Sequence, residues 1–148
     1  MKKLFFLLMI VMLGFSGCSD DEGLRTKKKL FTVRSSDWEL IGDEDAIGSY
    51  YLSVWDVPEL TEKVYTDGLI SCYYIYTDNL GYIVQTPLPF FEYDMALFDE
   101  CPWEMPWSVY FSYDITPGSI AFKVVFSDFY TGTWAPPTRS EFRLVLVY

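Results

Sequence analysis

Hydrophobic and polar residues alternate along most of the chain between Phe31 and Tyr148. Successive side chains of a strand point to opposite faces, so a period of two residues indicates strands with one buried face. The alternation is strongest in Ser108–Ile115 and in Ile120–Ser127, which a Pro-Gly turn separates. A sustained period of 3.6 residues, which would indicate helices, is missing from this region, and we therefore predict an all-β domain.

Turn residues divide this region into short segments. The clearest hairpin signal is Asp67-Gly68, which lies between Leu60–Thr66 and Leu69–Thr77 and suits a two-residue turn. The last strand, Glu141–Tyr148, is apolar at its end, so we expect it to be central and buried on both faces. Seven or eight strands predict an antiparallel β-sandwich, either immunoglobulin-like or jelly-roll-like. Two segments are predicted to be irregular: 90–106 and 128–140.

The first residues form a separate pattern that is typical of a secretion signal. Two lysines follow Met1, and an apolar run extends from Leu4 to Phe15. A helix needs about 20 apolar residues to cross a bilayer, and this run is shorter. Small residues precede Cys18, and the segment that follows is polar and lacks periodicity. We therefore predict three parts: a signal peptide over 1–17, a flexible tether over 18–30 and a single sandwich domain over 31–148.

The boundary Phe15-Ser16-Gly17-Cys18 resembles the lipobox of bacterial lipoproteins, with Phe15 where Leu is usual. The resemblance implies a diacylglycerol on the Cys18 sulfur, cleavage before Cys18 and acylation of the new amino terminus. Several acyl chains hold a domain on a membrane far better than one chain does. The acidic Ser19-Asp20-Asp21-Glu22 resembles the export signal of Bacteroidetes surface lipoproteins, and a solvated tether is the alternative. The expected location is the outer membrane or the cell surface, with the membrane as a partner.

Positions spread over the rest of the chain carry a second likeness: Trp38, Tyr50-Tyr51, Pro58-Glu59-Leu60-Thr61, Val64, Gly68, Leu88-Pro89, Gly118-Ser119-Ile120 and Phe142-Arg143-Leu144-Val145-Leu146. At these positions the chain resembles a family of small Bacteroidetes lipoproteins of unknown function. The resemblance implies a β-sandwich on a lipid tether, with no established activity and no catalytic residues to carry over.

Composition narrows the possible functions. The 148 residues are 51% hydrophobic and 20% aromatic, with a formal net charge of −10 and no histidine. Loss of residues 1–17 would leave 9 basic and 21 acidic residues, a net charge of −12. This acidic balance argues against nucleic acid, whose phosphates need a basic surface. Without histidine, Ser-His and Cys-His triads and the common zinc sites are excluded, and we predict no catalytic residue, no metal and no cofactor.

Two cysteines remain beside Cys18, namely Cys72 and Cys101. Export permits a disulfide between them, which would stabilise the fold by a few kcal/mol. Cys72 also shares a strand face with apolar residues, which suits a buried thiol equally well. Both possibilities stay open, and a catalytic cysteine is not expected because no histidine is present to generate the thiolate.

Acidic residues suggest two further hypotheses. Asp94, Asp99, Glu100 and Glu104 lie beside tryptophans, where two carboxyls about 5–9.5 Å apart would suit a glycoside hydrolase. Asp43-Glu44-Asp45 could bind Ca²⁺ through oxygen ligands, but it lacks the alternating spacing of a calcium-binding loop. A solvated acidic surface is the alternative to the glycoside hydrolase, and a small sandwich has little room for a deep cleft.

Aromatic residues in predicted loops favour a binding module. Trp103, Trp107, Tyr130 and Trp134 lie in these loops, and loops at one end of a sandwich commonly form recognition surfaces. Exposed Trp and Tyr suit glycan or protein partners, whereas the alternative is that these rings close the ends of the core. We therefore expect a non-catalytic binding or structural module that recognises a glycan or an envelope protein. The alternative is a small carboxylate-dependent glycoside hydrolase or its accessory domain.

Overall fold

A computed structural model describes residues 23–43, 46, 48–97, 104–126 and 135–148. For residues 94–97 and 104–106 it describes the backbone alone. These residues form nine strands, one α-helix and one short 3-10 helix, Ser35–Asp37. The main elements in chain order are β1 (Thr26–Arg34), β2 (Glu39–Ile41), β3 (Tyr50–Asp56), α1 (Glu62–Asp67), β4 (Leu69–Thr77), β5 (Ile83–Pro87), β6 (Phe90–Leu97), β7 (Glu104–Thr116), β8 (Ser119–Phe126) and β9 (Arg139–Val147).

The strands form two antiparallel sheets that enclose one core. The first sheet has the order β1-β9-β4-β5, and the second has the order β2-β3-β8-β7-β6. The predicted antiparallel β-sandwich is therefore confirmed, with nine strands among the described residues where seven or eight were expected. The 3-10 helix separates β1 from β2, and β6 forms in a segment predicted to be irregular. β1 also begins at Thr26, inside the predicted tether.

Aromatic rings from the two sheets meet in the middle of the core. Phe142 of β9 stacks on Phe122 of β8 with ring centroids 4.2 Å apart, and both side chains are fully buried. Tyr74 of β4 stacks on Phe111 of β7 at 4.5 Å. Such contacts bury large apolar areas and favour one relative placement of the sheets. β9 lies between β1 and β4, as expected for the last strand, although its outward side chains are half-buried rather than buried.

The predicted hairpin at Asp67-Gly68 is wrong, because the segment before it forms α1. The Val64 backbone N–H donates to the Thr61 hydroxyl at 3.3 Å, which caps the helix, and the Val64 side chain is buried. Gly68 ends the helix by donating its N–H to the Val64 carbonyl oxygen at 3.0 Å. A Cβ at Gly68 would lie 2.5 Å from that oxygen. Glycine is therefore needed here for close packing, at an ordinary negative φ, and not for a hairpin turn.

The strand register gives the sandwich two ends. We call the end where β1 begins proximal; there Thr26 pairs with Val147, near the end of β9. The Lys29 ammonium donates to the Asp56 carbonyl oxygen at 2.8 Å, so the proximal end also holds the end of β3 and the β7–β8 turn beside it. We call the opposite end distal; β1 stops and β9 starts there.

Candidate functional site

The segments predicted to carry the binding aromatics connect strands at the distal end. β7 runs from Glu104 at this end to Thr116 at the proximal end, and β8 returns to Phe126 at the distal end. β6 therefore ends and β7 begins at the distal end, and β8 ends and β9 begins there as well. Three of the predicted aromatics lie in these segments, outside the described residues, and stay predictions: Trp103, Tyr130 and Trp134.

The sequence predicts that Trp107 lies in a loop, but in the structure it lies on β7. Its side chain is half-buried and packs against the core, on the same inward face as Val109 and Phe111. The difference arises from the length of β7, whose 13 residues extend the sheet into a segment without clear alternation. Trp107 therefore fits the alternative in which aromatic residues close the end of the core.

A groove of about 380 Å³ opens at the distal end of the first sheet, and we call it the distal groove. β4 contributes the residues from Tyr74 to Thr77, β5 contributes Ile83, and β9 contributes Arg139 and Glu141. Ile75, Ile83 and Glu141 share the outer face of the sheet here, while Tyr74 and Tyr76 point to its inner face, so the groove lies where both faces of the sheet end meet. Small-molecule sites likewise combine apolar surface with a few polar groups that orient the ligand.

Arg139 and Glu141 form the polar part of the distal groove. Nη2 of Arg139 and Oε1 of Glu141 lie 2.5 Å apart, and the two side chains are 65% and 30% exposed. Residues two apart on a strand point to the same face, which explains why the two charges meet. The pair presents donors and acceptors side by side and in reach of solvent. This arrangement suits a ligand hydroxyl, which both donates and accepts hydrogen bonds.

Stacked rings form the aromatic part. Tyr76 stacks on Tyr74 with centroids 5.7 Å apart and on Phe90 of β6 at 5.9 Å, so its ring is held by neighbours from both sheets. Phe90 also stacks on Tyr74 at 5.7 Å. Burial, with smaller contributions from Glu92 and Tyr76, raises the pKa of Tyr74 to about 12, so this hydroxyl is neutral at physiological pH. The ring of Tyr74 is thus neutral and packed between neighbouring rings.

The β4–β5 turn places apolar side chains on the rim of the groove. The Asp78 carboxylate accepts hydrogen bonds from the backbone N–H groups of Leu80 at 2.9 Å and Tyr82 at 2.8 Å. Gly81 has a φ of 86°, which favours glycine, and donates its N–H to the Asp78 carbonyl oxygen. These bonds hold the turn in one shape, with Leu80, Tyr82 and Ile83 exposed. Exposed apolar residues beside a groove are typical of a binding surface.

Comparison with known proteins gives no relative from which a function could be inferred. No known protein family, curated protein or solved structure matches this chain. A functional proposal for this protein therefore rests on the geometry of the groove and on the sequence pattern.

Sequence reasoning did not find Tyr76, Arg139 or Glu141 as site residues. Glu141 lies 65 positions after Tyr76, and both line the groove because β4 pairs with β9, with Ile75 opposite Glu141 on the outer face of the sheet. Strands that are distant in the chain give no sign of their pairing in the alternation pattern. The one available signal was the alternation of β4, which places Tyr74 and Tyr76 on the same face.

Cys72 is a free thiol on the inward face of β4 with 2% of its surface exposed. Burial raises the pKa of this thiol to about 12, so it is protonated and poorly reactive at neutral pH. Cys101, its predicted disulfide partner, lies outside the described residues. In the structure, Cys72 is therefore a buried thiol, which the sequence analysis gave as the alternative to a disulfide bond with Cys101.

The acidic clusters show no metal site among the described residues, which contain no group of three His, Cys, Asp or Glu side chains that could hold an ion. Asp43 uses its backbone carbonyl to accept the Ser49 hydroxyl at 2.8 Å, while Glu44 and Asp45 lie outside the described residues. The four carboxylates of the hydrolase hypothesis have no described side chains: Asp94, Asp99, Glu100 and Glu104.

The proposed lipidation site, Cys18, also lies outside the described residues, so its acylation stays a prediction. The chain joins the sheet at Thr26, eight positions after Cys18. In the part of the chain that the structure describes, none of the helices has the length and hydrophobicity to span a membrane.

Proposed function

We propose that this protein is a lipid-anchored, non-catalytic binding module of the cell envelope that holds a neutral glycan in the distal groove. The observation that carries the proposal is the groove itself. There, Tyr74, Tyr76 and the accessible Arg139–Glu141 pair line one opening at the distal end of the sheet.

The sequence before Gly23 supports the anchor. A short basic start, an apolar run and small residues before Cys18 form the lipobox-like pattern, and acylation at Cys18 would attach the chain to a membrane. Because β1 begins at the proximal end, an anchor there would turn the distal groove away from the bilayer. A groove in that position is open to large ligands outside the membrane.

The chemistry of the groove favours a sugar over a charged ligand. Apolar C–H faces of a sugar ring pack well against aromatic rings such as Tyr76, while the hydroxyls can bond to Arg139 and Glu141. The two opposite charges offset each other, so neither an anion nor a cation gains a large net attraction. We therefore propose a neutral glycan as the ligand class.

Calorimetric titration with neutral oligosaccharides of gluco-, manno-, galacto- and xylo-configuration tests this proposal. We expect at least one to bind, and Tyr76→Ala and Arg139→Ala to weaken that binding by about tenfold or more, because each removes one part of the site. Tyr93→Ala is the matched control, since Tyr93 is an exposed tyrosine on β6 that does not line the groove. Binding by none of the oligosaccharides, or an equal loss in Tyr93→Ala, would contradict the proposal.

The hydrolase alternative can be tested with the same sugars. Glu141 is the one carboxylate that the described residues contribute to the groove, and it is paired with Arg139. Hydrolysis by the usual mechanisms needs two carboxyl groups. We therefore propose binding without turnover; release of reducing ends that Glu141→Gln abolishes would show that the protein is an enzyme.

A further inference from the structure

A second groove of about 590 Å³ lies at the proximal end, beside α1, and we call it the proximal groove. Its apolar lining includes Leu24, Val64 and Leu69, while Arg25 and Lys63 also border it. It therefore differs from the distal groove in having aliphatic side chains and separate positive charges in place of stacked rings and an ion pair.

Large aliphatic side chains are unusually exposed around this groove. Leu24 is 81% exposed, Leu69 is 66% exposed, and Leu30 on the outer face of β1 is 56% exposed. Leu24 and Leu69 both line the groove, so they form one patch rather than scattered surface residues. A patch of exposed leucines costs free energy in water unless another surface covers it.

Positive charge is concentrated at the same end. The chain from Gly23 onward has nine lysines and arginines. Five of them lie at or near the start of β1 or on α1: Arg25, Lys27, Lys28, Lys29 and Lys63. Lys29 bonds to the Asp56 carbonyl, whereas the other four have no ion-pair partner among the described residues. On α1, Glu62 and Asp67 outnumber Lys63, so the excess of positive charge is confined to the start of β1.

We propose that this proximal surface rests directly on an anionic lipid bilayer, an inference that depends on the proposed anchor at Cys18. Five positions separate Cys18 from Gly23, and a chain of that length spans at most about 18 Å. An acylated Cys18 would therefore keep the proximal groove within reach of the lipid head groups. Exposed leucines can enter the interfacial region while the lysines bind lipid phosphates.

The distribution of charge favours the same orientation. Glu39, Asp78 and Glu92 are described acidic residues toward the distal end, while Asp56, Glu62 and Asp67 lie toward the proximal end, so acidic residues occur at both ends. The charge that distinguishes the two ends is the basic start of β1, which an anionic membrane attracts. The bilayer contact would thereby hold the distal groove pointing outward.

Depth-dependent fluorescence quenching on the full, lipidated chain tests this proposal. The protein is reconstituted into phosphatidylcholine vesicles containing about a quarter phosphatidylglycerol, with an environment-sensitive dye at Leu24→Cys. Leu80→Cys is the matched control, because both leucines are 81% exposed but Leu80 lies at the distal end. Both are made in a Cys101→Ser background, and buried Cys72 is not expected to react with the dye.

We expect a lipid-borne quencher to lower the signal at position 24 by about twofold or more and to leave position 80 unchanged. Lys27→Glu with Lys28→Glu should weaken the contact by about fivefold for each lysine lost, and vesicles of phosphatidylcholine alone should also weaken it.

Two results would overturn the inference and leave the anchor intact. The first is equal quenching at positions 24 and 80 while the protein still floats with the vesicles. The second is quenching at position 24 that does not depend on the charge of the lipids. Protection of position 24 without lipid would identify a second copy as the partner and would also overturn it. Failure to float in 1 M salt would contradict the anchor itself, and the inference with it.

Discussion

The two grooves of the sandwich differ more in chemistry than in size. The distal groove is lined by two tyrosines and an Arg139–Glu141 pair, whereas the proximal groove is lined by exposed leucines with Arg25, Lys63 and Asp67. Fixed rings and paired charges suit one discrete ligand with defined hydroxyl positions. Flexible aliphatic and cationic side chains suit an extended, fluid surface that has no fixed geometry. The difference indicates that the two ends have different tasks.

The largest effect should come from breaking the core that both ends share. Phe142 is fully buried and stacks on Phe122, so Phe142→Ala should lower the free energy of unfolding by about 3–5 kcal/mol. Because one core supports both grooves, binding of glycan and of vesicles should weaken together. Denaturant titration measures the loss, with exposed Phe91→Ala as the control, and a cost below about 1 kcal/mol for Phe142→Ala would show that the stack is not central.

Alkaline pH should destabilise the fold through Cys72. Burial raises the pKa of its thiol from 9.0 to about 12, so the folded state favours the protonated form. The associated stability is complete below about pH 9 and is lost as the pH rises toward 12, with a limit on the order of 4 kcal/mol.

Unfolding free energies between pH 8 and pH 10 test this dependence, because Tyr74, whose ordinary value is 10.0, contributes mainly above that interval. Cys72→Ala should flatten the slope although it also costs stability at every pH. An unchanged slope would show that the thiol is not desolvated.

The helix cap should affect the proximal end alone. Thr61→Ala removes the acceptor for the Val64 N–H and should cost about 1 kcal/mol. Vesicle contact should weaken as α1 loosens, while glycan affinity stays the same. Thr66→Ala, an exposed threonine of the same helix, is the control for a general loss of hydroxyl groups. Equal losses of glycan affinity and vesicle contact would contradict the separation of the two ends.

The β4–β5 turn should give the smallest change in stability and affect the distal end alone. Asp78→Ala removes the acceptor for two backbone N–H groups in an exposed turn, with an expected cost of about 0.5–1 kcal/mol. Glycan binding should weaken because Ile83, which lines the groove directly after the turn, loses its fixed position. Asp78→Asn keeps an acceptor oxygen and should restore most of the affinity; no difference between the two variants would exclude this role.

Much of the sandwich could be predicted because period-two alternation reports burial on one face. Ile120–Ser127 is the clearest case, since β8 is central in its sheet and its inward residues are buried. Alternation failed for β6, an edge strand in which exposed Glu92 lies between aromatic residues. It also failed at Glu62–Asp67, where a threonine cap and the burial of Val64 favour a helix over the strand propensity of the segment.

The site was harder to predict than the fold. Tyr76 and Arg139 are far apart in the chain, and the order β1-β9-β4-β5 that joins them is a property of the whole sheet. The sequence analysis selected tryptophans as binding residues instead. Trp107 shows why such a prediction can be wrong: β7 is longer than predicted, so this ring packs against the core. Local patterns predict elements, whereas the groove depends on contacts between distant strands.

The most direct test of the division between the two ends is hydrogen exchange on the full chain with and without the best-binding neutral oligosaccharide. We predict slower exchange in residues 74–83 and 139–141 and unchanged exchange in residues 61–69. Protection confined to the proximal residues, or to the outer face of β6 around Phe91 and Tyr93, would contradict the assignment of the distal groove as the ligand site.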